Sequence, residues 1–209
     1  VRAVAVDGAG NVYAGGGTSS TDLSVPVGAA QSSLRGGQDG FLMKLDSSGL
    51  QRLAGTYLGG SRGDWSSVEV VMALAVDAQQ NVYAAGSTPS GDFPTPSAWT
   101  GTLSGLQDGF LVKVNASFGT VAWGTFLGGT GKDSATALAM DASGGLVVGG
   151  STTSTNFPVQ GAIQSSNGGA ADGFVLRINA AGSAVSFATY LGGSGADGVA
   201  AVAVDPFGS

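Results

Sequence analysis

Residues 71–86 read VMALAVDAQQNVYAAG, two short apolar runs separated by a polar turn. Each run has the length and composition of a β-strand, and the turn between them is short. Asp77 stands at the start of the turn, where its carboxylate can accept hydrogen bonds from the N–H groups of the turn. The segment therefore predicts a β-hairpin.

Two more strands follow this hairpin. After a long polar loop from 87 to 107, residues 109–114 read GFLVKV and residues 121–127 read VAWGTFL. Both runs are too short for a helix and show no helical period. Gly128 and Gly129 close the second of them. This part of the chain therefore predicts a four-stranded antiparallel sheet.

The same pattern recurs along the whole chain. Three phrases mark the copies: Leu-Gly-Gly at 58–60, 127–129 and 191–193; Asp-Gly-Phe at 39–41, 108–110 and 172–174; and a strand that ends in Asp7, Asp77, Asp141 or Asp205. The last phrase repeats after 70, 64 and 64 residues. The repeats span approximately 1–60, 61–129 and 130–193, with a partial fourth at 194–209. Units of this kind bury their apolar faces by stacking on their neighbours.

Recurring four-stranded sheets that are apolar on both faces predict an all-β fold, a β-propeller of four-stranded antiparallel blades. The first strand of each repeat is rich in Ala and Val and is placed innermost; the Leu-Gly-Gly strand is placed outermost. A β-solenoid is the alternative, although its coils are usually shorter.

Three full blades plus one inner strand, from Val199 to Asp205, leave an open arc, whereas propellers close with about four to eight blades. We therefore expect more protein, from a larger propeller or from further copies, to cover the faces beside the first and last blades.

The amino-acid composition excludes several classes of function. The chain of 209 residues has a net charge of −6, no His and no Cys, and its acids are thirteen Asp and one Glu. Asp favours turns, which suits an all-β chain. The shortage of basic residues argues against nucleic acid as a partner. The sequence contains no apolar run of about 18 residues, so it predicts no membrane span. Without His, a Ser-His-Asp or Cys-His site is excluded, so we expect no enzyme; a carboxylate-based hydrolase or lyase is the remote alternative.

Several phrases together resemble the SBBP β-propeller repeat of bacterial and archaeal surface and secreted proteins. They are GNVY at 10–13, TPSGDFP at 88–94, DGFLVKV at 108–114 and TYLGGSGAD at 189–197. The resemblance covers the whole chain. It implies a propeller, commonly of seven blades, and an extracellular or cell-surface location, and it implies no catalytic residues. The first repeat departs from the pattern, because DLSVP at 22–26 replaces the Asp-Phe-Pro phrase.

Acidic residues recur on the face that carries the long loops. They are Asp39, Asp108 and Asp172 from one loop type, and Asp64, Asp133 and Asp197 from the other. Carboxylate oxygens at such positions could bind calcium, and no other cofactor is expected. The alternative is that each carboxylate caps N–H groups of its own Gly-rich turn. Lys44, Lys113 and Arg177 share one register of the third strand. This predicts either a ring of cations toward an anionic partner, or a structural role as ion pairs between blades or hydrogen bonds to the backbone.

The repeat symmetry breaks at one connection. Leu58 and Asp77 are 19 positions apart, whereas the equivalent pairs are 14 apart. The longer connection contains Trp65 and Glu69, and Trp99 stands in the neighbouring long loop. Function on a rigid scaffold concentrates in such loops, and Trp is enriched at binding hot spots. We hypothesise that Trp65, Glu69 and Trp99 form a contact patch for a protein or glycan; the alternative is that Trp65 covers a gap between blades and Trp99 anchors its loop.

These observations predict a non-enzymatic β-propeller module of a secreted or cell-surface protein. Its expected role is a structural or adhesive scaffold that contacts other protein chains or further blades. A lectin-like propeller that binds a glycan or another ligand is the alternative. That alternative predicts a pocket lined by aromatic side chains on the loop face.

Overall fold

The computed structural model describes residues 1–62, 68–97 and 99–205. Within these residues the chain forms β-strands and no helix, so the all-β prediction is confirmed. The strands build three antiparallel sheets of four strands each. In every sheet the strands pair in chain order, as the sequence predicts.

Each sheet corresponds to one repeat. The first sheet contains β1 (Ala3–Val6), β2 (Val12–Thr18), β3 (Asp39–Leu45) and β4 (Arg52–Leu58). The second contains β5 (Val70–Val76), β6 (Val82–Thr88), β7 (Asp108–Val114) and β8 (Val121–Leu127). The third contains β9 (Asp133–Met140), β10 (Leu146–Thr152), β11 (Asp172–Ile178) and β12 (Val185–Leu191).

An aspartate closes the first hairpin of each sheet. In the second sheet Asp77 Oδ1 accepts hydrogen bonds from the N–H groups of Gln79 at 3.0 Å and Asn81 at 2.8 Å. Gln80 in this turn has φ of 64°, a left-handed conformation that favours glycine. The first and third sheets have Gly10 and Gly144 at this position. The hairpin predicted from residues 71–86 is therefore confirmed, down to the role of its aspartate.

Neighbouring sheets pack through their first strands. β5 lies against β1 and β2 of the first sheet, and β9 lies against β5 and β6 of the second. We call the contact between the first and second sheets the first joint, and that between the second and third sheets the second joint. Small residues in the second strands allow the close approach. A Cβ atom at Gly15, for example, would lie only 2.7 Å from Val71 Cγ1.

Aromatic rings fill the two joints from opposite sides. In the first joint Phe118, from the turn that precedes β8, reaches back to Tyr13 with ring centroids 6.3 Å apart. Phe118 has φ of 60° and is fully buried beside Ala54 of β4. In the second joint the large residue is Trp123 of β8, whose ring lies 6.1 Å from that of Tyr83. The Trp123 indole N–H donates to the Ala180 carbonyl of the third sheet at 3.2 Å.

The predicted fourth inner strand requires a correction. Residues 199–205 are not paired in a sheet. The segment nevertheless lies on the third sheet as β5 lies on the first: the Val199 N–H donates to the Gly150 carbonyl at 3.0 Å, and a Cβ at Gly149 would lie 2.6 Å from Val199 Cγ1. A strand needs a hydrogen-bonded neighbour, and the described residues contain no second strand for this segment. Residues 199–205 therefore lie where the sequence predicts a fourth inner strand, but they are not paired with another strand.

Candidate functional site

Pairs of carboxylates lie where consecutive sheets meet. Each pair flanks the first glycine of a Leu-Gly-Gly turn. A Cβ at Gly128 would lie 2.6 Å from both Asp108 Cγ and Asp133 Oδ2. Asp108 begins β7 of the second sheet and Asp133 begins β9 of the third, so this pair belongs to the second joint. The Leu-Gly-Gly phrase therefore needs glycine at this position because any side chain would overlap two buried acids.

The equivalent pairs have the same geometry. A Cβ at Gly59 would lie 2.5 Å from Asp39 Cγ and 2.6 Å from Glu69 Oε2. At Gly192 the corresponding distances are 2.7 Å to Asp172 Cγ and 2.9 Å to Asp197 Oδ2. The acid that Glu69 supplies in the first joint is supplied by Asp133 and Asp197 in the other two places.

Hydrogen bonds saturate the carboxylates of the first joint. The Gln31 side chain donates to Asp39 Oδ2 at 2.6 Å, and the backbone N–H groups of Arg35 and Gly36 donate to the same carboxylate at 2.9 and 3.0 Å. Glu69 accepts from the Gly60 N–H at 2.9 Å and from the Thr88 hydroxyl. Burial nevertheless raises the pKa of Glu69, because its charged form has lost contact with water.

The second joint lacks one of these donors. Thr100 stands where the other sheets have Gln31 and Gln164, and its short side chain offers no amide to Asp108. Asp108 accepts from the Ser104 N–H at 3.0 Å through Oδ2, while its Oδ1 accepts no hydrogen bond of ordinary geometry from any described residue. Burial, reinforced by the nearby charge of Asp133, raises the pKa of Asp108 to about 6.

The partner carboxylate is also incompletely bonded. Asp133 Oδ2 accepts from the Gly129 N–H at 2.9 Å and from the Ser154 hydroxyl at 2.8 Å. Its Oδ1 is buried and, among the described residues, has no hydrogen-bond donor in ordinary geometry. Burial raises the pKa of Asp133, against the lowering effect of the Thr152 hydroxyl and these other donors. Two buried carboxylates therefore face each other in the second joint, each with one oxygen that is not satisfied.

The pair beside residues 199–205 is open to water on one side. Asp172 accepts from the Gln164 side chain at 2.6 Å and from the Gly168 N–H at 2.9 Å. Asp197 is exposed and accepts from the Gly193 N–H at 2.8 Å. The Asp172 carboxylate is buried, as Asp39 and Asp108 are. Turn N–H groups are thus bonded by carboxylates in every repeat, which is the alternative that the sequence left open for these acids.

The basic residues of the third strands pair inside their own sheets. Each pairs with the aspartate that ends the first strand: Lys44 with Asp7 at 4.0 Å, Lys113 with Asp77 at 3.4 Å, and Arg177 with Asp141. They form neither a ring of free cations nor ion pairs between sheets, because the antiparallel order brings the ends of the first and third strands together. The Lys44 ammonium also donates to Gln80 Oε1 at 2.9 Å, a hydrogen bond from a charged donor to an uncharged amide across the first joint.

The aspartates of these ion pairs also cap their turns. The Asn11 side chain donates to Asp7 at 2.9 Å, and this bond leads the interactions that hold the pKa of Asp7 at about 2. The Ser143 hydroxyl does the same for Asp141, whose pKa is also about 2. Both groups remain ionised through the physiological range, so we assign them a structural role.

The predicted contact patch is not assembled at the surface by its described members. Glu69 is 0% exposed and lies in the first joint, where it cannot contact a partner. Trp99 is half-buried and packs against the apolar cluster of the second joint, which is the anchoring alternative. Trp65 and Asp64 fall outside the described residues. The repeat pattern predicts that Asp64 is the acid that follows the Leu-Gly-Gly turn and corresponds to Asp133 and Asp197. In the structure Glu69 takes that place beside Asp39.

The calcium prediction has no ligand cluster to support it. The described residues contain no group of three or more acidic, His or Cys side chains that could hold a metal ion. The acids come in pairs, and most of their oxygens accept N–H or O–H donors. We therefore identify none of them as a metal ligand, and calcium binding stays a prediction.

A cavity of about 580 Å³ opens between the first and second sheets near the start of β1. Its polar walls come from Arg2, Gln38, Ser87 and Gln107, and the rest of its described lining is aliphatic or glycine. This lining differs from the aromatic surface that a lectin-like function predicts. The cavity therefore does not favour glycan binding over the scaffold role.

Comparison with known proteins adds no relative: no family model matches the chain, and no curated protein matches it. The resemblance to SBBP repeats thus rests on the quoted phrases alone and stays a prediction. In the described part of the chain, no helix is long and apolar enough to cross a membrane.

Proposed function

We propose that the three sheets are blades of a β-propeller, and that the chain is a non-catalytic scaffold module of a secreted or cell-surface protein. In this proposal the module works by presenting whole sheet faces to further protein. The observation that carries it is the contrast between one exposed sheet face and its buried equivalents.

That contrast concerns the first strands. Val4 and Val6 of β1 are each 61% exposed. The equivalent side chains of β5 and β9 pack into the first and second joints; they are Leu74, Val76, Leu138 and Met140. The first sheet therefore presents an apolar face of the kind that the other two sheets bury against a neighbour. Apolar faces of this kind mark interaction surfaces in soluble proteins.

The placement of the first strands supports the propeller arrangement. The first strand of each later sheet lies on the sheet before it, and residues 199–205 continue this order on the third sheet. A cavity of about 320 Å³ lies between the first strands and residues 200–202. In a propeller such a space belongs to the central channel.

The use of the charged side chains supports a non-catalytic role. Nine of the acids named above accept hydrogen bonds from turn N–H groups, in three sets of three equivalent positions. The three that end first strands, Asp7, Asp77 and Asp141, also pair with a Lys or Arg. A catalytic acid and base need different environments, as Asp108 and Asp133 have relative to the first-joint pair, but these two side chains are buried between sheets and out of reach of a substrate. The scaffold role accounts for these side chains without any reaction.

Self-association tests the proposed face. For this chain alone, the available partner is a second copy, so sedimentation velocity should show association that increases with concentration. Replacing Val4 and Val6 with Lys should shift the protein to monomer with little change in melting temperature, because both side chains are exposed. Val27→Lys is the matched control, since Val27 is fully exposed in a loop. A wild type that stays monomeric at all concentrations would contradict the proposal.

A substrate panel tests the non-catalytic part. We expect no turnover of ester, peptide or glycoside substrates. An activity that disappears when one of the buried aspartates is changed to Asn, with the fold intact by circular dichroism, would show that the chain is an enzyme after all.

A further inference from the structure

The carboxylate pair of the second joint differs from its counterpart in the first joint. Asp39 has a side-chain amide and two backbone N–H groups as donors, whereas Asp108 lacks the amide because Thr100 replaces glutamine. Asp108 and Asp133 each expose about 1% of their surface. Each keeps a buried oxygen without a donor in ordinary geometry, as far as the described residues extend.

Two neighbouring buried carboxylates do not both ionise readily. Burial removes the water that would stabilise each charge, and each charge raises the energy of the other. Asp108 Oδ1, which has no donor among the described residues, and Asp133 Oδ2 border the same space, since they would lie 2.7 and 2.6 Å from a Cβ at Gly128. A proton bound to Asp108 Oδ1 would give the pair the donor that it lacks. The pair would then titrate as a unit rather than as two separate groups.

We propose that Asp108 and Asp133 share one proton in weakly acidic solution, and that loss of this proton as the pH rises loosens the second joint. The two acids belong to different sheets, so repulsion between their charges acts across the contact that holds the sheets together. The joint between the second and third sheets is then stronger in acid than at neutral pH.

The groups around the pair provide no compensating cation. The Tyr190 hydroxyl is near Asp133, and burial followed by the charges of Asp133 and Asp172 raises the pKa of this tyrosine. Lys132 precedes Asp133 in the chain, but its side chain is exposed. Within the described residues, the Lys and Arg ion pairs involve neither Asp108 nor Asp133.

The direction of the pH effect follows from proton binding. The pKa of Asp108 rises from 3.8 to about 6 on folding, so between these values the folded chain holds a proton that the unfolded chain has lost. The contribution of Asp108 to stability is therefore complete below about pH 4 and is lost as the pH rises through 6.

Side-chain carboxyl carbon shifts, measured by NMR on the full chain from pH 3 to 8, test proton sharing directly. We expect Asp108 to titrate with a midpoint near 6 and the Asp133 shift to change in step with it. In Asp108→Asn the new amide can donate to Asp133, so Asp133 should titrate at lower pH. Asp39→Asn is the matched control in the first joint and should leave both shifts of the second joint unchanged.

Amide hydrogen exchange tests the loosening. The Asp133 N–H donates to the Gln107 carbonyl across the second joint at 2.9 Å. After correction for the intrinsic rate, its opening should increase about tenfold or more between pH 5 and 7.5, the effect of one or more pKa units. Asp108→Asn should abolish this increase. The Asp77 N–H, bonded within its own turn, should not change in either protein.

Thr100→Gln provides a second variant if Asp108→Asn does not fold. It adds the amide that the other sheets have, so it should lower the midpoint of the pair and flatten the exchange profile. The proposal is overturned if both carboxyls of the wild type titrate near pH 4. It is also overturned if Ca²⁺ at pH 7 stabilises the wild type but not Asp108→Asn, because the pair would then bind a cation.

Discussion

The two joints fill the same space with opposite choices of residue. The first joint has a small residue on the fourth strand, Ala54, and a large one in the following turn, Phe118. The second joint has the large residue on the fourth strand, Trp123, and Gly182 in the turn that packs on it. Close packing constrains the total volume across a joint more tightly than the residue at any one position. Two positions that face each other across a joint can therefore change together from one repeat to the next, provided that their combined volume is kept.

The polar parts of the joints differ in another way. The second joint leaves Asp108 Oδ1 and Asp133 Oδ1 buried without a donor from any described residue, whereas neither carboxylate of the first joint has such an oxygen. Asp108 also lacks the amide that Gln31 donates to Asp39, because Thr100 stands at that position. A change in the size of one apolar side chain is thus balanced by an opposite change across the joint, whereas the hydrogen-bond donor lost in the second joint is not replaced. The unsatisfied joint is the one to which we assign a response to pH.

Removing the large residue of the second joint should have the largest effect. Trp123→Ala should lower the free energy of unfolding by about 3–5 kcal/mol, since Gly182 offers no side chain to fill the cavity. Urea denaturation with an unchanged m-value measures this loss. A loss below about 1 kcal/mol would mean that the ring does not hold the second and third sheets together.

Giving the first joint the large and small residues of the second joint, at the equivalent positions, should have the next largest effect. Phe118→Gly should destabilise the chain by about 2–4 kcal/mol, less than Trp123→Ala because glycine relieves the left-handed backbone. Adding Ala54→Trp then recreates the second joint's pairing in the first joint and should restore part of the loss. Ala54→Trp alone should destabilise, because Phe118 already fills the space. If the two changes are simply additive, the joints do not compensate in the way we describe.

Glycines at one turn position separate backbone strain from packing. Gly49 and Gly182 have φ of 74° and 68°, but a Cβ at Gly49 meets nothing within 4 Å, whereas one at Gly182 would lie 2.5 Å from the Trp123 ring. Gly49→Ala should cost about 1 kcal/mol for the backbone alone. Gly182→Ala should cost about 2–3 kcal/mol, because overpacking is added. Equal losses in thermal or urea unfolding would argue that the turn of the third sheet does not press on Trp123.

Positions that repeat were predictable, and positions that depend on a neighbouring sheet were not. The strands, the hairpin turn and the capping role of Asp77 follow from local pattern. The partner of Phe118 does not, because Tyr13 belongs to another sheet and no local signal joins them. The ion pairs within sheets are not predictable for a different reason: their members lie on strands that are distant in sequence, and the local pattern does not give the partner of each charge.

Glu69 shows that the strand is a better reference point than the turn for aligning the repeats. Counting forward from the Leu-Gly-Gly turn places Asp64 at the acid position and leaves Glu69 without a counterpart. Counting back from the strand-ending aspartate gives a separation of 8 for Glu69 from Asp77, for Asp133 from Asp141 and for Asp197 from Asp205. The extra residues therefore lie before Glu69. The strand is the better reference because it is anchored by pairing, whereas a loop absorbs insertions.

The central claim is that these sheets are blades whose open faces are covered by further sheets of the same kind. Electron microscopy of the particle at concentrations where the chain associates tests it most directly. We predict sheets arranged around a central channel, with Val4 and Val6 buried against a sheet of the neighbouring copy. A particle that contains only three sheets, with the Val4 face open to water at every concentration, would contradict the claim.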